Sequence, residues 1–225
     1  MIKLYGCGSP NVFKVQLMLA ELGLEYEFVK LPLYGPALSE PRFRALNPNG
    51  KLPVLVDDDT PVFESGAILL HLAEKHGRFL PAEGAVRDRT LQWLMWQMAG
   101  VGPMFGQALH FLYIAPDGNE YAKGRYTHEA ERLYDVAETR LSEAEWFAGD
   151  DYTIADIAIY PWLGRYAPTL GIDLSGRPGV MGWKEKIESR PAFKAAEPGW
   201  KALFKEGLVE QANASKEDLD RFFGR

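Results

Sequence analysis

Apolar and polar positions along the chain follow two regimes. Residues 2–5 form a short β-type run, and Gly6-Cys7-Gly8-Ser9-Pro10 is a turn by composition. From Asn11 the spacing becomes helical, with Val12, Val15, Leu19 and Leu22 on one stripe and Gly23 as the stop. Residues 26–31 read as a second strand. A Pro- and Gly-rich loop covers 32–41, and a short helix over 42–46 is ended by Asn47-Pro48-Asn49-Gly50. Residues 52–56 and 61–63 are strand-like, with Asp57-Asp58-Asp59 as the turn between them. Glu64-Ser65 then opens a helix through Ile68, Leu69 and Leu72, stopped at Gly77. The predicted order is β-α-β-α-β-β-α, its last two strands close enough for a hairpin.

Beyond Pro81 the strand signals stop. Helical spacing returns over 87–112, 121–144, 154–170, 180–189 and 192–205. The expected fold class is therefore an α/β domain followed by an all-α domain. The boundaries read from the pattern are 1–80 for the first domain, 81–86 for a linker, 87–208 for the helical domain and 209–225 for a tail. That tail is polar except for Leu219, Phe222 and Phe223.

Composition narrows the function classes. Lys plus Arg number 25 against 31 Asp plus Glu, a net charge of −6. An acidic chain of this kind is a poor binder of phosphate backbones, so no nucleic-acid partner is expected. A single cysteine excludes an internal disulfide, a Cys-rich zinc site and a dithiol redox motif, and favours a reducing, cytoplasmic setting. The first residues carry no long apolar run, so no secretory leader is expected. Residues 90–116 hold no Asp, Glu, Lys or Arg. Gln92, Gln97, Gln107 and His110 interrupt them, and the glycines and proline at 100–106 break them further. A helix buried in a core or subunit interface is the reading, not a membrane span. The four histidines have neither HExxH nor paired Cys/His spacing, so no metal site is expected. Neither a dinucleotide loop, a phosphate loop nor a hydrolase elbow is present.

Four short segments carry candidate chemistry. Ser9-Pro10-Asn11-Val12 lies between the first strand and first helix, where free N–H groups and the positive dipole end stabilise a thiolate. Taken alone it is also an ordinary helix start, with a Ser cap and Pro at the first position. Leu52-Pro53-Val54 places a proline at the entry to an apolar strand, which suits an edge, a bend or a cis bond. In Phe63-Glu64-Ser65-Gly66 a strand passes directly into a helix whose N-terminus can cap itself or hold a ligand carboxylate. Thr153-Ile154-Ala155-Asp156 matches a capping box with Asp for Glu and is read as structural, Asp156 being buried.

Together, in this order and at these separations, the four segments resemble the glutathione transferase superfamily over residues 1 to about 208. The resemblance implies a thioredoxin-like N-terminal domain, with Leu52-Pro53-Val54 as its cis-proline loop, followed by an all-α domain. Ser9-Pro10-Asn11, the run from Gln92 to Gln107 and Glu131-Arg132-Leu133-Tyr134 are similar to the bacterial nu class and its fungal prion-protein relatives. Nu-class members carry Thr at the position of Ser9. The implied activity is glutathione transferase with glutathione-dependent disulfide reduction, in a homodimer. The fold also serves as a non-catalytic interaction module, and glutathione-dependent isomerase or dehalogenase readings remain alternatives.

The resemblance assigns roles to named residues. Ser9 and Asn11 would donate to the glutathione thiolate. Lowering a thiol pKa by ~2 units takes ~2.7 kcal/mol, the order that two charge-assisted hydrogen bonds at a helix start supply. The Leu52 backbone beside Pro53 would pair with the cysteinyl residue, Glu64 with the γ-glutamyl ammonium, Ser65 with its carboxylate and Lys51 with the glycyl carboxylate. Arg125 would reach glutathione from the partner subunit. Cys7 is expected at a strand end, packed as a small apolar residue rather than serving as the nucleophile.

Overall fold

The computed structural model describes residues 1–224. The chain divides into two compact units, one formed by Met1–Leu72 with the C-terminal segment from Pro191, the other by Ala73–Arg190.

The first unit is built on four strands, β1 (Ile2–Gly6), β2 (Glu27–Lys30), β3 (Val54–Asp57) and β4 (Thr60–Phe63). Their order in the sheet is β2-β1-β3-β4. β1 and β2 run parallel, joined by the crossover helix α1 (Pro10–Leu22) as a parallel pair requires. β3 is antiparallel to β1 and closes a hairpin with β4 across Asp58 and Asp59. Asp58 adopts φ 45°, a left-handed turn conformation that Asp tolerates. α2 (Pro41–Arg44) is a single turn, and Phe43 on it packs with Leu38 and Val54. α3 (Ser65–His76) follows β4 directly. The sheet and its two longer helices match the thioredoxin-like expectation element by element.

α1 is buried nearly all round; Val12 through Leu19 are all inaccessible, and Lys14 and Gln16 share that burial. One cover is α9 (Pro191–Asn213), which stacks Trp200 on Phe13 at 4.9 Å and sets Phe193 edge-on to it at 6.0 Å. The helix predicted over 192–205 thus runs on to Asn213 and packs against the first helix of the sheet. The polar tail is not a coil: α10 (Lys216–Phe223) is capped by Ser215, and its Phe222 and Phe223 rings lie against Tyr34.

The second unit is helical. The long helix expected over 87–112 is α4 (Ala85–Trp96) and α5 (Gly102–Tyr113), joined through one wide π-type turn at Gln97–Val101. Gly102 sits at the joint, where a Cβ would come within 2.9 Å of the buried Gln97 amide nitrogen. α6 (Glu120–Glu143) donates its buried Tyr134 hydroxyl to Leu163 O at 2.8 Å. α7 (Ile154–Leu163) is shorter than predicted: it ends at Gly164 and the chain turns through 164–171. α8 (Pro178–Ser189) completes the unit. Asp156 is the polar centre of this core, fully buried and accepting from Phe147 N (3.1 Å), Thr153 N (3.0 Å) and Trp183 Nε1 (3.0 Å). Burial pushes its carboxyl up to about 6 while these donors pull the other way. Among the described residues no strand follows Phe63, only the bridge Trp146–Gly149 that closes a turn. No described helix is long and apolar enough to cross a membrane.

Candidate functional site

Sheet register brings three of the sequence segments to one end of the strands. Tyr5, Val54 and Phe63 form a row across β1, β3 and β4. Beyond this row β1 leads to Ser9, β3 is entered from Leu52-Pro53, and β4 leads to Glu64-Ser65. Residues 9–11, 52–53 and 64–65 are therefore neighbours in space although more than fifty positions separate the first from the last.

Ser9 caps α1 from an extended backbone, φ −89° and ψ 154°, and its Oγ accepts from Val12 N at 3.3 Å with Pro10 at the first helical position. Its carbonyl accepts from Phe13 N at 3.1 Å and from Trp200 Nε1 at 3.1 Å. The helix start is thus held from both sides, by its own turn and by α9. Ser9 and Asn11 are each half-buried, so both remain within reach of a ligand. Cys7 is buried at 4% exposure just past the end of β1. Burial pushes its thiol up, against hydrogen bonds from the Ser9 side chain and backbone. A thiol protonated and enclosed in this way is a poor nucleophile, as expected for a packing residue.

The Leu52-Pro53 peptide bond is cis, the point that sequence alone left open. Pro53 is buried, Leu52 half-buried and Lys51 exposed. The loop before them is braced: Asn47 Nδ2 donates to Lys51 O at 2.7 Å, and Asn47 Oδ1 accepts from Asn49 N at 2.9 Å. Gly50 turns at φ 66°, where a Cβ would collide with the Arg44 guanidinium at 2.5 Å.

At the third segment Glu64 adopts φ 69°, uncommon for a side chain of its size, and its carbonyl accepts from Ile68 N at 2.9 Å. This conformation turns the strand sharply into α3 and leaves the Glu64 side chain exposed while Ser65 is buried at 3% exposure. Lys14 Nζ on α1 donates to Ser65 Oγ at 3.2 Å. Lys14 is itself 1% exposed, and burial pulls its ammonium down to about 7 against the attraction of Glu64. Lys14 is not among the residues that the sequence analysis singled out; a lysine set among Val12, Phe13 and Val15 was the available signal. Trp200, whose indole bonds the Ser9 carbonyl, is not among them either.

Arg125 belongs to the other unit. It is exposed on α6, beside a surface depression of about 410 Å³ lined with Tyr121, His128 and Glu129. No group of three or more His, Cys, Asp or Glu suited to a metal ion occurs among the described residues.

This end of the sheet thus offers two helix N-termini, a hydroxyl at each, a carboxylate and the backbone of a segment that enters β3 through a cis proline. Such a set can hold a small peptide bearing a thiol, an amino group and carboxylates. Comparison with known proteins agrees. The glutathione S-transferase N-terminal domain family matches residues 1–74, and the glutathione S-transferase C-terminal domain family matches residues 101–191. The disulfide-bond oxidoreductase YfcG of Escherichia coli (strain K12) is 45% identical over 199 residues, covering 85% of this chain and 92% of that one. A glutathione transferase family member from Pseudomonas fluorescens pf-5, solved with two glutathione bound, is 39% identical with a TM-score of 0.80, covering 87% and 91% of the two chains. A glutathione transferase from Pseudomonas putida, solved with one glutathione disulfide bound per subunit, is 36% identical with a TM-score of 0.79, covering 87% and 90%. By sequence, by sheet topology and by the order of its two folded parts, this chain belongs to the glutathione S-transferase family.

Proposed function

We propose that the protein is a glutathione-dependent enzyme that activates the glutathione thiol for attack on disulfides and on electrophilic carbon. The observation that carries this reading is the convergence of Ser9-Asn11, Leu52-Pro53 and Glu64-Ser65 at one end of the sheet, with a helix N-terminus at each of the outer two. The Ser65 hydroxyl and the first N–H groups of α3 take the γ-glutamyl carboxylate, and Glu64 takes the ammonium. The Leu52 backbone pairs with the cysteinyl residue, and Lys51 receives the glycyl carboxylate. Ser9 and Asn11 then face the sulfur at the start of α1, where the dipole and two donors favour thiolate.

Disulfide reduction in this chain uses glutathione at both steps, because the protein has one cysteine and it is buried. The first glutathione thiolate attacks one sulfur of the substrate disulfide, forming a mixed disulfide and expelling the other sulfur as thiolate, which takes a proton from water. A second glutathione thiolate attacks the glutathione sulfur of the mixed disulfide. The products are oxidised glutathione and a second substrate thiol. The relatives solved with two glutathione molecules or with glutathione disulfide support a site that accommodates both halves. The proposed setting is the cytoplasm, where a homodimer supplies Arg125 from the partner subunit.

Turnover tests the reading. With glutathione and a small organic disulfide, oxidised glutathione forms at a rate set by protein concentration. An aryl halide gives the thioether more slowly. Retention on immobilised glutathione with turnover of neither substrate would replace this reading with that of a binding module.

A further inference from the structure

Lysine is among the side chains least often fully buried, and when buried it is paired. Lys14 is buried in the first unit, one turn into the helix that starts at Ser9, and its ammonium reaches across to the first residue of α3. Accepting that bond fixes the Ser65 hydroxyl: its oxygen faces Lys14, so its own proton points elsewhere. A charged group acting on Lys14 is Glu64, the residue before Ser65, whose backbone is left-handed and which is exposed. The positive end of the α3 dipole adds to the positive potential at Ser65. A cation behind Ser65 and an anion in front of it at Glu64 make a charge pair that complements an α-amino acid head group, carboxylate to the first and ammonium to the second.

We propose that Lys14 is the positioning residue of the glutamyl arm: its ammonium turns the Ser65 hydroxyl proton toward the ligand carboxylate and supplies the charge that carboxylate meets through the hydroxyl. The inference rests on the glutathione reading above and deepens it. Lys14 itself acts through Ser65. It does not reach the thiol, so its loss separates binding of the glutamyl arm from activation of sulfur. The buried amine, pulled down to about 7 without ligand, is partly uncharged just above neutrality. An anion arriving in front of Ser65 favours the charged form, so the ligand brings a proton with it.

S-methylglutathione keeps the glutamyl arm and has no thiol proton to lose, and its amino group is already largely protonated just above neutrality, so most of a proton taken up on binding goes to the protein. Calorimetric titration of the full chain at about pH 7.5, in two buffers of different ionisation enthalpy, is the test. Wild type takes up a fraction of a proton on binding. Lys14→Met binds about tenfold or more weakly, the order set by one charge-assisted hydrogen bond, and takes up markedly less than wild type. In turnover the same variant raises the KM for glutathione far more than it lowers kcat. Lys14→Arg, which keeps a permanent charge, recovers affinity with uptake as low as that of Lys14→Met; near-ultraviolet circular dichroism confirms that both variants fold. The wild-type measurement stands even if neither does. Wild type that binds without proton uptake overturns the role of Lys14 and leaves the glutathione reading intact, as does a folded Lys14→Met that binds equally well. Wild type that does not bind S-methylglutathione overturns both.

Discussion

Two residues two positions apart divide the labour at the start of α1. Ser9 is half-buried at the helix start, and Cys7 is enclosed at 4% exposure with its thiol pushed up by burial. Cys7→Ala is therefore expected to retain turnover within a few-fold; a loss beyond about a hundredfold, ~2.7 kcal/mol of barrier, would make Cys7 a reacting group. Lys14 carries a second residue-scale prediction. Its folded value of about 7 lies below the ~10.4 of an unfolded lysine, so the unfolded chain binds more protons between these limits. Its contribution to stability is most unfavourable below pH 7 and improves as pH rises toward 10. Lys14→Met should accordingly be most stable relative to wild type in mild acid, with the advantage shrinking by pH 9 in chemical denaturation. An advantage constant with pH would mean that Lys14 titrates normally. The cap at Ser9 was legible in sequence because Ser followed by Pro is a local signal. The role of Lys14 was not, because α1 is covered on nearly all sides and position along its stripe no longer tells inside from outside.

At the scale of elements, the helix α9 fixes the start of α1. A Cβ on Gly8 would come within 2.4 Å of the Leu203 backbone, and the Trp200 indole bonds the Ser9 carbonyl at 3.1 Å. Gly8→Ala must push α9 away, with an expected cost of ~1–3 kcal/mol in thermal or denaturant unfolding. Gly23→Ala meets no neighbour within 4 Å, but its φ of 69° strains an alanine, so it loses only ~1 kcal/mol. Asp156→Ala strips the acceptor from Phe147 N, Thr153 N and the Trp183 indole inside the helical core and should cost ~3 kcal/mol or more. The capping box made Asp156 readable as structural; its bonds to Phe147 and Trp183 are tertiary and left no local trace. The same holds for α9, whose helical spacing was clear while its partner was not. α10 had a signal: Leu219, Phe222 and Phe223 stand at i, i+3 and i+4, the spacing of one helix face. The joint between α4 and α5 follows from Gly100, Gly102 and Pro103, which mark a break without specifying a π-type turn.

The whole molecule combines a mixed α/β unit carrying three motif segments with a helical unit carrying Arg125. Order and type of the elements through α3 were legible because strand-type and helix-type spacing alternate there and turn residues divide β3 from β4. The convergence of segments 9–11, 52–53 and 64–65 was not, since it depends on the register that sets Tyr5, Val54 and Phe63 in one row. The proposed role of Arg125 from a partner subunit requires a dimer. Sedimentation at micromolar concentration should give twice the chain mass, and a monomer that turns over glutathione at the full rate would remove Arg125 from the site. The central claim is that Ser9 and Asn11, at the start of α1, hold glutathione as thiolate. Thiolate ultraviolet absorbance of the glutathione complex, followed against pH, tests it most directly. Wild type should ionise well below the free thiol value of ~8.5, with Asn11→Ala and Ser9→Ala each shifted upward and the double variant shifted furthest. Curves that coincide in wild type, both single variants and the double variant, with glutathione bound in all four, would contradict it.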